Sequence, residues 1–158
     1  MFKKILVCLD GSELAEKVLP YAVEEAERFD SELVLFRAIS EPYLLSVSLP
    51  GMPGIPINAD KTENQELREE RAARAYLMSL AKKLRNERKL RVDYDTAIEA
   101  AGPAITGYCE KHAIELIAIA THGRSGAGRA LIGSVADYVV RHSGLPILLI
   151  RPQQEKSK

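Results

Sequence analysis

The residues of this 158-residue chain best suited to chemistry are Ala120-Thr121-His122-Gly123 and, nine residues further on, Gly133-Ser134. They follow the apolar run Leu116-Ile117-Ala118-Ile119 and precede an amphipathic helical pattern, so they read as a strand-to-helix turn. A turn of this kind gathers free backbone N–H groups and the positive end of a helix dipole at one point. The chemistry it offers is anion binding, phosphate above all, and nucleotide binding is the function it first points to. His122, inside the turn, either contacts a ligand or fixes the turn through a backbone hydrogen bond. Arg124 and Arg129 either neutralise a polyphosphate or lie solvated on the surface.

Other chemistry fails on pattern. A P-loop needs a Gly-Lys pair, and the chain has none. The dinucleotide fingerprint fails because Gly126-x-Gly128 meets Leu131 where the third glycine belongs. Gly123-Arg124-Ser125-Gly126-Ala127 misses the nucleophile elbow at its fifth position, and Ser125 has no evident base and acid partners. His112, His122 and His142 lack metal-ligand spacing. His112 and His142 fall near helix C-termini, where a cation suits the dipole.

A second turn of the same type stands near the N-terminus. The continuous apolar run Ile5-Leu6-Val7-Cys8-Leu9 reads as a parallel strand covered on both faces, and it ends at Asp10-Gly11-Ser12. Ser12 suits a helix N-cap, and Glu13 and Glu16 suit its first turn. Ala15, Val18, Leu19, Ala22, Val23 and Ala26 repeat at helical spacing, so one helix is expected, kinked at Pro20. A second buried strand spans 32–39. Residues 41–61, rich in proline and glycine, read as one long loop inside a single domain. Pro50, Pro53 and Pro56 either mimic a polyproline-II ligand or stiffen that loop.

A charged helix over 62–88 follows, with Ala73, Leu77, Leu80 and Leu84 on its apolar face. The alternating segment 91–98 reads as an edge strand. Helix 103–113 starts on Pro103. Strand 115–120, helix 131–142 with its Ser143-Gly144 stop, and strand 145–150 complete the order. Residues 153–158 form a polar tail after a domain of residues 1–152.

This βαβ-type alternation predicts one α/β domain with a doubly wound, five-stranded parallel sheet. Ligands of such sheets bind at the carboxyl ends of strands, at a topological switch point. If the first and fourth strands are neighbours, both turns line one crevice.

Composition narrows the function classes. With 22 basic and 22 acidic side chains the formal charge is zero, which argues against a general nucleic-acid binder. Cys8 and Cys109 form no CxxC pair and read as buried small hydrophobes in a reducing compartment. No signal peptide or membrane-length apolar run is present, so the expected location is the cytoplasm.

The runs 120–126 and 133–137, the C-terminal Leu145-Pro146-Ile147-Leu148-Leu149-Ile150-Arg151 and the opening Ile5 to Ser12 together resemble the universal stress protein family. The resemblance implies a Rossmann-like or flavodoxin-like domain with sheet order 3-2-1-4-5. Members that bind ATP carry G-x2-G-x9-G-[ST]. This chain matches it at Gly123, Gly133 and Ser134 and departs from it at Ala120, which adds one methyl group and matters most if that position needs a positive φ.

Carried over residue by residue, the resemblance implies phosphate contacts at Gly123, Arg124, Ser125, Gly133, Ser134 and Val135. It places Asp10 toward the ribose or adenine, Cys8 and Leu9 beside the base, and Ala38 at the adenine edge. Ala120 and His122 belong to the same turn. It also implies ATP with Mg²⁺ held mainly by phosphate oxygens, and a homodimer paired through Leu145 to Ile150. The function implied is that of a nucleotide-dependent regulatory or stress-response dimer. The alternatives are a slow Mg-dependent ATPase or self-phosphorylating enzyme, and a structural, chaperone-like dimer that binds no nucleotide.

Overall fold

The computed structural model describes residues 1–39, 59–121 and 132–151, with the backbone alone for residues 59–64. Its order is β1(Lys4–Cys8), α1(Glu13–Glu16), α2(Leu19–Phe29), β2(Glu32–Ile39), α3(Ala59–Arg88), β3(Arg91–Ile98), α4(Ala101–His112), β4(Leu116–Ala120), α5(Ser134–His142) and β5(Ile147–Ile150). The five strands form one parallel sheet in the order β3-β2-β1-β4-β5. β1 and β4 are therefore neighbours, and the chain reverses its winding direction between them. β3, the alternating segment, takes one edge, as its pattern predicts.

The central strands are apolar throughout because helices cover both faces. Ile5 and Val7 face the layer of α2 and α3, with Leu33, Leu35 and Ala118 beside them. Leu6 and Cys8 face the layer of α4 and α5, with Val34, Phe36, Ile117 and Ile119. Both cysteines are buried free thiols, as expected, and burial pushes the Cys109 thiol up to about 11 and the Cys8 thiol higher still.

Several boundaries differ from the sequence reading: α4 begins at Ala101, ahead of Pro103, and β5 begins at Ile147 rather than Leu145. The single kinked helix after Ser12 is two helices. Pro20 has no N–H to give, and its ring crowds the carbonyl four residues back, so it sits in the first turn of α2 instead. The helix read over 62–88 begins at Ala59, so residues 59–61 are helical rather than loop. The last helix begins at Ser134, with Ile132 and Gly133 before it; Leu131 lies outside the described residues. The remainder of the loop read at 41–61, with its prolines, and the tail 153–158 also lie outside the described residues.

α4 and α5 touch through a contact that only glycine permits. A Cβ on Gly102 would stand 2.6 Å from Cδ1 and 3.1 Å from Cβ of Tyr138. These are atoms at the root of the Tyr138 side chain, so they cannot swing away. Gly102→Ala is expected to destabilise the fold by about 1–3 kcal/mol, despite the better helix propensity of alanine. The denaturant midpoint measures it; a midpoint at or above wild type would show that α4 and α5 separate without cost.

Candidate functional site

Two turns meet above the β1–β4 switch. Asp10-Gly11-Ser12 leaves the carboxyl end of β1. Ser12 caps α1, its Oγ accepting from the Ala15 N–H at 3.1 Å, and Asp10 Oδ1 accepts from the Ser12 N–H at 2.8 Å. This Asx turn closes a tight corner, and Gly11 occupies its left-handed position at φ +84°. From the other side, β4 runs to Ala120, and the Thr121 N–H pairs with the Ile150 carbonyl at 2.8 Å. The chain re-enters the described structure just before α5.

Between the turns lies a cleft of about 140 Å³. Cys8, Leu9 and Asp10 line it from β1, and Ala38 and Phe36 from β2. Ala120 and Thr121 line it from β4, and Gly133, Ser134 and Val135 from the start of α5. Every described residue expected at the binding site is in this wall. The others, His122, Gly123, Arg124 and Ser125, lie outside the described residues.

The wall has two chemistries. Toward β2 and α4 it is apolar: Phe36, Ala38, Ala101, Ile105 and Ile119. The Cys8 thiol, held protonated by burial, belongs to this apolar part. Toward α5 it is lined by the polar residues Thr121 and Ser134 and by Gly133. Gly133 is the N-cap of α5 and contributes no side-chain hydrogen bond to the helix. Asp137, the acid in the first turn, is drawn back along the helix by the Arg141 Nε at 2.9 Å, and this bond holds its carboxyl below the usual carboxylate range. The first N–H groups of α5 thus form an electropositive corner of the cleft. Among the described residues, Asp10 is the single charged side chain in the wall.

Sequence reasoning missed Phe36, Leu14, Ala15, Ala101, Ile105, Ile119 and Ala136 as lining residues. They are apolar residues of helix and strand patterns, and nothing local marks them as site rather than core. Phe36 had one usable signal, its place two residues before Ala38 on the same face of β2. The position of Ala120 also acquires a meaning. It continues β4 in register with Ile150, and it is not among the residues of positive φ. Its backbone therefore does not require glycine.

Comparison with known proteins agrees with this geometry. The model of the universal stress protein family matches residues 1–151. A universal stress protein of Methanocaldococcus jannaschii is 27% identical over 156 residues, covering 98% of this chain and 86% of the relative. Among solved structures, another protein of that archaeon superposes with a TM-score of 0.78 at 22% identity, covering 98% of this chain and 99% of the other. A universal stress protein of Archaeoglobus fulgidus solved in complex with dAMP gives a TM-score of 0.60 at 19% identity over 93% of this chain and 96% of its own. One solved in complex with cAMP gives 0.62 at 15% identity over 95% of this chain and 97% of its own. With its sheet order, its cleft at the β1–β4 switch and a family match across nearly its whole length, the chain belongs to the universal stress protein family.

Proposed function

We propose that the cleft binds an adenine nucleotide, ATP with Mg²⁺, and that the protein works as a nucleotide-dependent regulatory dimer of the stress response. The observation that carries this reading is the two-sided wall. An apolar slot ending in Phe36, Ala38 and Ile105 suits a purine ring, and the uncapped start of α5 with Ser134 suits phosphate. Relatives of the same fold solved with dAMP and cAMP support the same class of ligand.

In this reading Cys8, Leu9 and Ala38 flank the base and Asp10 meets the ribose or adenine. Gly133, Ser134 and Val135 hold phosphate, with Gly123, Arg124 and Ser125 completing the shell. Bound Mg²⁺ would neutralise phosphate charge through phosphate oxygens. The described wall fits that role, since its single charge is a carboxylate and a polyphosphate needs a cation beside it. We favour binding over turnover. Asp10 is the one described side chain in the wall with the character of a base, and its Oδ1 is engaged by the Ser12 N–H. The dimer would form through β5, an edge strand of Ile147, Leu148, Leu149 and Ile150. Its Leu149 is 37% exposed.

The test is thermal unfolding with and without Mg-ATP, ADP, AMP and GTP. At a ligand concentration 100 times the dissociation constant, binding adds about 2.7 kcal/mol of stability. An upward shift with adenine nucleotides is expected, and no shift at millimolar ATP would defeat the reading. Prolonged incubation with labelled ATP then separates a sensor from a slow hydrolase. ADP release above that of the Gly133→Val, Ser134→Ala variant would favour the enzyme.

A further inference from the structure

Arg37 stands on β2 between Phe36 and Ala38, both of which line the cleft. Alternation along the strand sends its side chain to the opposite face of the sheet. There the guanidinium rests against the β1–α1 turn. A Cβ placed on Gly11 would lie 2.7 Å from Arg37 Nη1 and 3.1 Å from Cζ. On its other side, Arg37 Cζ stands 6.0 Å from the centre of the Tyr76 ring. The Tyr76 hydroxyl in turn donates to Glu16 Oε1 at 2.7 Å. Asp10, Arg37 and Glu16 are all close enough to act electrostatically on that hydroxyl. β2, α1 and α3 therefore converge on one turn, and the residue that opens this turn, Asp10, is in the cleft wall.

Arg37 forms no ion pair among the described residues. A guanidinium with no ion pair among the described residues gains little stability from charge pairing. Its broad planar head does, however, fill the space that the missing Gly11 side chain leaves.

We propose that Arg37 is a positioning residue for the nucleotide cleft: it holds the Asp10-Gly11-Ser12 turn from the far side of the sheet, so that Asp10 keeps its place in the wall. This inference rests on the nucleotide-binding reading above, and two measurements separate them. The first is amide exchange in the ligand-free protein. Arg37→Gln should speed exchange at Ser12 and Ala15, whose N–H groups donate to Asp10 Oδ1 and Ser12 Oγ, by about tenfold while the β4 amides of residues 117–119 stay unchanged.

The second is a double-mutant cycle on Mg-ATP affinity. Arg37→Gln should raise the dissociation constant about fivefold when Asp10 is present, and less than about twofold in an Asp10→Ala background. A merely structural role would lower affinity equally in both. Unchanged exchange at the turn, or equal losses in the two backgrounds, would overturn the proposal. If Arg37→Gln proves too unstable to titrate, Arg37→Lys serves in its place, since it keeps the charge and loses the planar head. A wild-type protein that binds no nucleotide defeats the function reading instead. The exchange comparison needs no ligand and still decides whether Arg37 holds the turn.

Discussion

Gly133→Val combined with Ser134→Ala is expected to weaken Mg-ATP binding at least about 100-fold, with the fold retained. A hydrogen bond from a neutral donor to a charged group contributes about 1.5–3 kcal/mol. The variant removes one such donor, the Ser134 hydroxyl, and sets a branched side chain in the wall beside the N–H groups of α5. The fold survives because neither position is structurally demanding. Gly133 has φ −54° and ψ 153°, which any residue adopts, and it contributes no side-chain cap that could be lost. Its replacement costs only the poorer N-cap preference of valine, about 1 kcal/mol. Equilibrium dialysis gives the affinity and circular dichroism the fold. An unchanged dissociation constant would show that phosphate sits elsewhere.

Leu149→Pro is expected to convert a dimer to a monomer, raising the dimer dissociation constant by at least about 100-fold while secondary structure is preserved. The hydrogen bonds between β4 and β5 define which groups are spared. The Ile117 N–H meets the Pro146 carbonyl at 3.1 Å, and the Thr121 N–H meets the Ile150 carbonyl at 2.8 Å. In a parallel strand every second residue aims its backbone at the same neighbour. Leu148 therefore faces β4 with residues 146 and 150, and Ile147 and Leu149 aim theirs at the open edge. Proline at 149 removes an edge donor without touching a bond inside the sheet, and its fixed φ is compatible with a strand. Sedimentation equilibrium at micromolar protein reads the outcome. A variant that keeps the wild-type mass would rule out pairing through β5, and a monomeric wild type would remove the dimer from the functional reading.

The sequence carried the architecture because the signals that define it are local. Continuous apolar runs at 5–9, 33–36 and 116–119 can be satisfied only by a sheet covered on both faces, and the buried strands are the ones those runs predict. Ser12 is an N-cap because its hydroxyl reaches an N–H three residues on, which needs nothing beyond the adjacent chain. Pro20 shows where local reading falls short. Its effect was visible, but whether it kinks one helix or separates two depends on how α1 and α2 pack on β1 and β4.

The same division holds for the site. The Ala120–Ser134 turn is legible as an anion corner because helix ends leave unpaired N–H groups wherever they occur. The hydrophobic pattern left the strand neighbours open and only the family resemblance implied the order; the tertiary structure sets β1 beside β4, which brings Asp10 and Ser134 into one wall from positions more than a hundred residues apart in the chain. It also decided that Phe36 and Ile105 are wall rather than core, and that Ala120 has no need of glycine's conformations. Arg37 belongs wholly to this second group. Its contact with Gly11 exists because neighbouring strands are in register, and no spacing within a single segment encodes that pairing.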